Sequence, residues 1–240
     1  RSTAAERARW LEDAAAAVEA RGERIVEHAI AQIGKPRRAA KFEVGRSAAF
    51  IRACARQIQS LGGEVVPLDA APAGKGRFGF NTRVPFGVVA AITPFNAPAN
   101  LLVQKVAPAL AVGNAVVVKP CLEGSAIAVE IARAFEEAGL PRGLFNVVTG
   151  DREEAAALAS HEKTAFVTLT GGTAAGEALV RAAGAKPFLG ELGGNSPNIV
   201  CADADLDDAV ARITPSAFEA SGQQCISTQP IKVSSTVGLQ

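Results

Sequence analysis

The most constraining feature of this sequence is a series of short apolar runs, each followed by a polar or glycine-rich turn and a helix-like segment. The run AVVV at 115–118 shows no polar alternation, which is typical of a strand buried on both faces of a parallel sheet. Strands are predicted at 84–93, 115–119, 145–149, 165–170, 188–191 and 198–201. Helices are predicted between them, at 101–111, 125–138, 153–160 and 173–183. This alternation predicts an α/β fold with a doubly wound, mainly parallel, Rossmann-like sheet.

The residues before this pattern form a different region. Apolar residues recur at helical spacing from Ala14 to Ile33, and Gly34-Lys35-Pro36 interrupts them, so two or three helices are expected up to about residue 59. A stretch rich in Gly and Pro then predicts an irregular segment or a hairpin. We divide the chain into an N-terminal region (1–85), an α/β domain (86–203) and the beginning of a second domain (204–240).

The amino-acid composition limits which binding partners and which cellular compartment are expected. The chain has 240 residues, 48% of them hydrophobic, which is enough for a core, and its formal net charge of +1 gives no electrostatic reason to expect nucleic acid or a membrane. The four cysteines lack the close spacing of zinc and redox motifs, so we expect no metal site and free thiols in a reducing cytoplasm. No secretory leader is visible, and the absence of methionine suggests an incomplete reading frame.

Five predicted strands end in turns that could carry chemistry. These turns read TPFNAP, KPCLEGS, TGDRE, TGGTAAG and ELGGNSP in chain order. Because parallel strands present their carboxyl ends at one edge of a sheet, we expect all five turns to meet there, where such sheets bind ligands.

Two of these turns suggest nucleotide binding, although each also has a purely structural interpretation. Lys119 ends a buried strand and could extend its ammonium group to water or contact a ribose or a phosphate. Gly171 and Gly172 would let a phosphate approach the start of a helix, where Thr173 can act as a cap. The spacing is not that of a P-loop, so a plain strand–helix turn fits it as well.

Two other turns suggest acid–base or electrostatic roles. Asn96 could form an Asx turn before Pro98, or donate its amide to a developing oxyanion. Glu191 lies among glycines in a short apolar setting, where a partly desolvated carboxylate would suit a general base. A capping or ion-paired glutamate is the alternative.

Cys225, in ASGQQCIS, is either a nucleophile or a small buried residue. Its small and polar neighbours argue against a packed core. A Cys–His hydrolase would need a histidine at a strand end, whereas His28 lies in the helical region and His161 follows a predicted helix. That alternative is therefore not favoured.

Taken together, TPFNAP, VVVKP, TGGTAAG, ELGG and SGQQC, in this order over 86–227, resemble the successive signatures of the aldehyde dehydrogenase superfamily. The helical start and GFNTR also resemble the N-terminal region of that family. The resemblance implies an NAD(P)-dependent, non-acylating enzyme, with the dinucleotide-binding domain at 86–203 and the start of the catalytic domain at 204–240.

The resemblance also implies roles for the catalytic candidates. Cys225 would attack an aldehyde to give a thiohemiacetal, and Asn96 with the Cys225 backbone N–H would hold the oxyanion. Transfer of a hydride to the nicotinamide would leave a thioester, which water activated by Glu191 would hydrolyse. Glu191 also argues against the acylating branch of the family, which generally lacks that glutamate.

The cofactor implied is NAD or NADP. Many NAD-using members carry a glutamate where this chain has Leu122, and losing that carboxylate removes repulsion against a 2′-phosphate, so NADP is somewhat favoured. Phe95 stands where the family often has tryptophan. The residues implied to bind the cofactor are Thr93, Pro94, Phe95, Lys119, Gly150, Gly171, Gly172, Thr173, Gly176 and Leu192.

Length is the main departure from the family, whose chains are considerably longer. We therefore expect a chain truncated before the end of the catalytic domain, acting on a small aldehyde. A catalytically silent nucleotide-binding fragment or pseudoenzyme is the alternative. A homo-oligomer, dimer or tetramer, is implied by analogy, with 77–84 as a candidate contact segment.

Overall fold

The computed structural model describes residues 2–234. Three helices open the chain: α1 (Ala4–Ala20), α2 (Gly22–Ile33) and α3 (Arg37–Gln57). Thr3 and Glu6 form a capping box at the start of α1. Gly34 ends α2 with a φ of 65°, a left-handed conformation that glycine adopts without steric cost, and Pro36 precedes α3. The predicted interruption of the helical region is confirmed.

A short hairpin follows the helices. Strand β1 (Val65–Val66) pairs antiparallel with β2 (Gly79–Phe80), and the residues between them include two short 3-10 turns. Of the two alternatives predicted for the Gly- and Pro-rich stretch, an irregular segment or a hairpin, the structure shows a hairpin.

A five-stranded parallel sheet forms the centre of the fold. Its strands are β3 (Val88–Ile92), β4 (Ala115–Lys119), β5 (Phe145–Val147), β6 (Thr164–Thr170) and β7 (Phe188–Glu191), in the spatial order β5-β4-β3-β6-β7. The chain builds outward from β3 to β5 and then returns to the other side of β3, so the doubly wound prediction is confirmed. Strand β3 begins four residues later than predicted, directly after Gly87, whose φ is 122°.

Helices cover both faces of this sheet: α4 (Pro98–Ala111), α5 (Ser125–Glu137), α6 (Arg152–Ser160) and α7 (Thr173–Ala183). Val89 and Ala91 of β3 join a large core with the first five helices. Ala90 and Ile92, on the other face, join a smaller core with α6 and α7. Burial on both faces explains the absence of polar alternation in these strands.

Arg21 connects the N-terminal helices to the α/β layer. Its guanidinium pairs with both Glu130 and Glu137 of α5. The hydrogen bond to Glu137, the largest of several causes, raises the pKa of Arg21 above its ordinary value. The helical region therefore packs on the sheet domain through charged as well as apolar contacts.

The last described segment contains β8 (Ser196–Val200), α8 (Leu206–Phe218), a 3-10 turn (Glu219–Gly222) and β9 (Thr228–Val233). Within residues 2–234, β8 pairs with β9 in a separate parallel sheet. The strand predicted at 198–201 thus forms slightly earlier than expected and outside the central sheet. Over the same residues, none of the helices combines the length and apolar character that a membrane span requires.

Candidate active site

The carboxyl ends of the central strands bring the predicted turns to one edge. Ile92 is aligned with Lys119 on one side and with Leu169 on the other, so the turns after β3, β4 and β6 leave the sheet side by side. Thr170 of β6 is aligned with Glu191 of β7. The shared edge expected from the sequence is confirmed.

Asn96 links this edge to the segment that carries Cys225. Its side-chain Nδ2 donates a hydrogen bond of 2.7 Å to the carbonyl oxygen of Gln223, which is 127 residues away in the chain. Its Oδ1 accepts from the backbone N–H of Ala97 at 3.0 Å. Asn96 therefore has the local backbone contact of a turn residue and also a long-range contact beside the candidate nucleophile.

Cys225 has an exposed thiol, in agreement with the small and polar character of its neighbours. The turn that leads to it is unusual, because Ala220 and Ser221 adopt φ values of 49° and 58°, which residues with a Cβ rarely take. Gly194 lies close to Cys225, since a Cβ at position 194 would lie 2.8 Å from the carbonyl oxygen of Cys225. The turns after β3 and β7 both contact the segment at 223–225.

Glu191 is exposed, so the expectation that it would be partly desolvated is wrong for this structure. Its strand, β7, lies at the edge of the sheet, and its neighbour Leu189 is exposed as well. The main-chain oxygen of Glu191 accepts from Gly171 N–H at 3.0 Å, which fixes the backbone but leaves the carboxylate accessible to water.

Lys105 is a buried ionisable residue near the candidate site that the sequence analysis did not identify. It is only 8% exposed on α4, and its Nζ lies 3.1 Å from Thr168 Oγ1. Burial lowers the pKa of Lys105 to about 8, and the negative charge of Glu191 opposes that shift. A lysine within the apolar run LLVQKVAPALA was the signal that could have identified it.

The candidate cofactor residues after β3 and β4 differ in exposure. Thr93 is buried, and its Oγ1 has no hydrogen-bond partner among the described residues, whereas Pro94 is half-buried and Phe95 is exposed. Lys119 is buried and donates from Nζ to the carbonyl oxygen of Asp151 at 3.3 Å. Its ammonium group therefore turns towards the β5 turn rather than extending freely into water.

The turn after β5 contains Gly150, with a φ of 155°. A Cβ on Gly150 would lie 2.4 Å from the side chain of Glu154, whose carboxylate accepts from the N–H of Asp151 at 2.6 Å. The close contact with Glu154 leaves no room for a side chain at position 150, which is a structural reason for glycine there. The backbone hydrogen bond to Asp151, the largest cause, lowers the pKa of Glu154.

The glycine turn after β6 differs from the expectation in one respect. Thr173 is the first residue of α7 and does not cap it; Gly172 holds the capping position and has no side chain to donate or accept. A Cβ on Gly172 would meet nothing within 4 Å, whereas one on Gly171 would lie 3.2 Å from Leu169. The start of α7 is thus uncapped and open.

Gly176 and Leu192 contact each other across the same edge. A Cβ on Gly176 would lie 2.6 Å from the Leu192 side chain, so the glycine allows α7 to pack closely against the turn after β7. Thr173 faces the same turn, because a Cβ on Gly193 would lie 3.1 Å from its hydroxyl. The two turns form one continuous surface.

These groups fit a ligand that carries phosphates. The uncapped N-terminus of α7 favours an anion because of its free N–H groups and its dipole. The hydroxyl of Thr93, which has no partner within residues 2–234, and the ammonium of Lys119 lie at the ends of the neighbouring strands. Leu122, in the 3-10 turn after β4, is exposed and offers no carboxylate.

Sequence and structure comparisons agree on one family. The sequence profile described as "Aldehyde dehydrogenase family" matches residues 1–238. The 3-sulfolactaldehyde dehydrogenase of Priestia aryabhattai is 40% identical over 233 residues, which cover 97% of this chain and 49% of that protein.

Solved structures give the same result. An NADP-dependent glyceraldehyde-3-phosphate dehydrogenase from Bacillus halodurans, complexed with NADP, superposes with a TM-score of 0.93 at 38% identity, covering 98% of this chain and 50% of the other. An NAD-dependent aldehyde dehydrogenase from Sinorhizobium meliloti has a TM-score of 0.93 at 34% identity, covering 99% and 47%. The chain spans about half the length of the relatives it matches.

Proposed function

The chain belongs to the aldehyde dehydrogenase family, and we propose that it oxidises a small aldehyde to a carboxylic acid with NAD or NADP, using Cys225 as the nucleophile. The observation that carries this proposal is the 2.7 Å hydrogen bond from Asn96 Nδ2 to the carbonyl oxygen of Gln223. It brings an amide donor from the edge of the sheet to the segment of an exposed thiol.

In the first step, the Sγ thiolate of Cys225 adds to the aldehyde carbon, and the π electrons of the carbonyl move to its oxygen. Asn96 has a second N–H on the same Nδ2, and this group with the backbone N–H of Cys225 would donate to the oxyanion. A thiolate needs no proton shuttle in this step, so no histidine is required.

The bound dinucleotide supplies the acceptor for the hydride that leaves the aldehyde carbon. The acyl group then stays on Cys225 as a thioester. Glu191 would take a proton from water, the resulting hydroxide would add to the thioester carbon, and the Cys225 thiolate would leave with release of the acid. The exposure of Glu191 supports this role because the carboxylate can reach water.

For the cofactor, we propose that the start of α7 binds the phosphates and that Lys119 binds the ribose. The support is the open space beside Gly172 and the hydroxyl of Thr93, for which the described part of the chain provides no hydrogen-bond partner. The remaining predicted residues, which line the same edge, are Pro94, Phe95, Gly150, Gly171, Thr173, Gly176 and Leu192. Leu122 favours NADP, because no carboxylate at that position repels a 2′-phosphate.

The silent nucleotide-binding fragment is the second candidate, because the open start of α7 beside Gly172 fits a phosphate-bearing ligand without involving Cys225. One assay separates the two. Purified chain is mixed with a simple aldehyde and either NAD or NADP, and the absorbance of the reduced cofactor is followed. We expect reduction by the wild type, faster with NADP, and a loss on the order of a thousandfold or more in Cys225→Ala.

Cys201→Ala is the matched control, because Cys201 is also an exposed free cysteine. It should keep wild-type activity. If the wild type shows no reduction but still binds cofactor in a titration, the enzyme hypothesis is wrong for this chain and the silent fragment is supported. A clear preference for NAD would contradict the argument from Leu122.

We further propose a homo-oligomer, a dimer or tetramer, in the cytoplasm, with the domain division at 85/86 and 203/204. The four free cysteines support a reducing compartment, which cell fractionation would test. Limited proteolysis that cuts within 86–203 before either boundary would argue against the division.

A further inference from the structure

A buried ion pair lies behind Asn96. Lys35, in the turn between α2 and α3, pairs with Glu43 of α3, and their side chains are only 12% and 7% exposed. A buried pair loses much of its attraction to desolvation, so its presence is weak evidence for a role in stability alone. The contacts that the pair makes indicate a more specific role.

Glu43, which lies on α3, caps the N-terminus of helix α4. Its Oε1 accepts from the backbone N–H of Ala99 at 2.8 Å and of Asn100 at 3.0 Å, both in the first turn of α4. Ala97, at the capping position of α4, provides no side-chain hydrogen bond. The carboxylate therefore takes the place of an N-cap and also complements the helix dipole.

Lys35 holds the other end of the same turn. Its Nζ donates to the main-chain oxygen of Asn96 at 3.0 Å. The ion pair thus binds the segment 96–100 at two points, a carbonyl at its start and two amides at its end. These contacts fix the peptide plane that follows Asn96, and with it the direction from which the Asn96 side chain reaches Gln223.

We propose that Lys35 and Glu43 are positioning residues that hold the amide of Asn96 in the orientation required for the oxyanion. This inference rests on the proposed function of Asn96. Donors to an oxyanion act only when they are pre-oriented, and misplacement by about 1 Å costs on the order of 100-fold in rate. The role operates through Asn96 and involves no contact with the substrate.

The kinetic test uses Lys35→Met and Glu43→Gln. Methionine keeps an unbranched apolar stem without a donor; glutamine keeps an oxygen for Ala99 and Asn100 but loses the charge that holds Lys35. We expect kcat for aldehyde oxidation to fall about 10- to 100-fold in each variant, with KM changed less than about twofold. Lys41→Met is the control, because Lys41 pairs with Glu23 on the exposed side of α3.

A double-mutant cycle shows whether the effect passes through Asn96. In an Asn96→Ala background, which retains the main-chain oxygen, Lys35→Met should cause no further loss of kcat. An equal fold-loss in both backgrounds, or a loss confined to KM, would show a general structural effect and overturn the positioning role.

A second measurement does not depend on turnover. The side-chain amide of Asn96, identified by its disappearance in Asn96→Ala, is followed by NMR for exchange of its hydrogens with solvent. Exchange should be at least about tenfold faster in Lys35→Met and Glu43→Gln than in wild type and Lys41→Met, because the bond to Gln223 loosens. If the chain oxidises no aldehyde, the proposed function is wrong. The exchange measurement still tests whether Lys35 and Glu43 position the Asn96 amide. Unchanged exchange in both variants overturns the positioning role.

Discussion

Lys105 carries a charge that the fold buries. Its helix, α4, packs against the central sheet, and the ammonium group has Thr168 Oγ1 as a neutral partner at 3.1 Å. Burial of the charged form holds the pKa of Lys105 at about 8, compared with an ordinary value of 10.5. The lysine therefore costs stability at neutral pH, where it is still protonated.

Replacing Lys105 with Met should remove a pH dependence of stability. Between pH 8 and 10.5, the Lys105 amine is protonated in the unfolded chain but not in the folded chain. The contribution of Lys105 to the free energy of unfolding therefore rises with pH over this range. We expect Lys105→Met to lack this rise and to be more stable at pH 7, by on the order of 3 kcal/mol. Urea unfolding at several pH values measures both effects.

The pH profile of Lys105→Met must be compared with that of the wild type, because two partly buried thiols lower the free energy of unfolding at high pH. Burial raises the pKa of Cys54 and of Cys121 to about 11, so they favour unfolding as the pH rises above 9 in both proteins. Lys75→Met, at an exposed position, is the control and should follow the wild-type profile. Parallel profiles for wild type and Lys105→Met would contradict the prediction.

The turn after β7 packs closely against the segment that carries Cys225. A Cβ on Gly194 would lie 2.8 Å from the main-chain oxygen of Cys225, a distance too short for a real contact. We expect Gly194→Ala to displace Cys225 and to lower kcat for aldehyde oxidation by at least about tenfold.

Gly45→Ala is the matched control for that substitution. Gly45 lies exposed inside α3, and a Cβ there would meet nothing within 4 Å. Alanine should raise the free energy of unfolding by about 0.5–1 kcal/mol without changing kcat, because it lowers the entropy of the unfolded chain. A fully active Gly194→Ala would mean that the two segments move apart at no cost.

The boundaries of the helices and strands show where local sequence patterns are sufficient to predict the structure. Helix α7 forms as predicted, over Thr173–Ala183, because Gly172 and Gly184 bracket it. Helix α4 starts three residues earlier than predicted, at Pro98, whose fixed φ suits a first helical position. Helix α8 and strand β9 were not predicted. Strand β9 pairs only with β8 among the described residues, and this pairing is not evident from periodicity.

The hairpin of β1 and β2 presents an exposed aromatic surface. Phe78 and Phe80 pack against each other with ring centroids 6.1 Å apart and remain 77% and 67% exposed. Exposed aromatic clusters of this kind are typical of protein–protein contacts. They support the proposed homo-oligomer and the candidate segment at 77–84.

Light scattering coupled to size exclusion measures the assembly directly. We expect a dimer or tetramer for the wild type and a shift towards monomer in Phe80→Ser, with at least about a tenfold weaker association. Phe42→Ser is the matched control, because Phe42 is equally exposed, at 67%, but lies on α3 away from the hairpin. A monomeric wild type, or an equal effect of both substitutions, would refute the assignment of the contact surface.

The fold class and the sheet edge that carries the candidate site could be predicted from the amino-acid sequence alone. Apolar runs without alternation require burial on both faces, and parallel strands carry their turns to one edge, so Asn96, Lys119, Gly172 and Glu191 could be selected without coordinates. Both inferences depend on local periodicity, which a single sequence contains.

The contacts between these groups and the solvation of each one could be read only from the three-dimensional structure. The bond from Asn96 to Gln223, the ion pair of Lys35 and Glu43 behind it, and the buried Lys105 all join elements far apart in the chain. The exposure of Glu191 likewise follows from its place on an edge strand. Such contacts depend on how whole helices and strands pack, because hydrogen bonding and desolvation are set by three-dimensional neighbours rather than by sequence spacing.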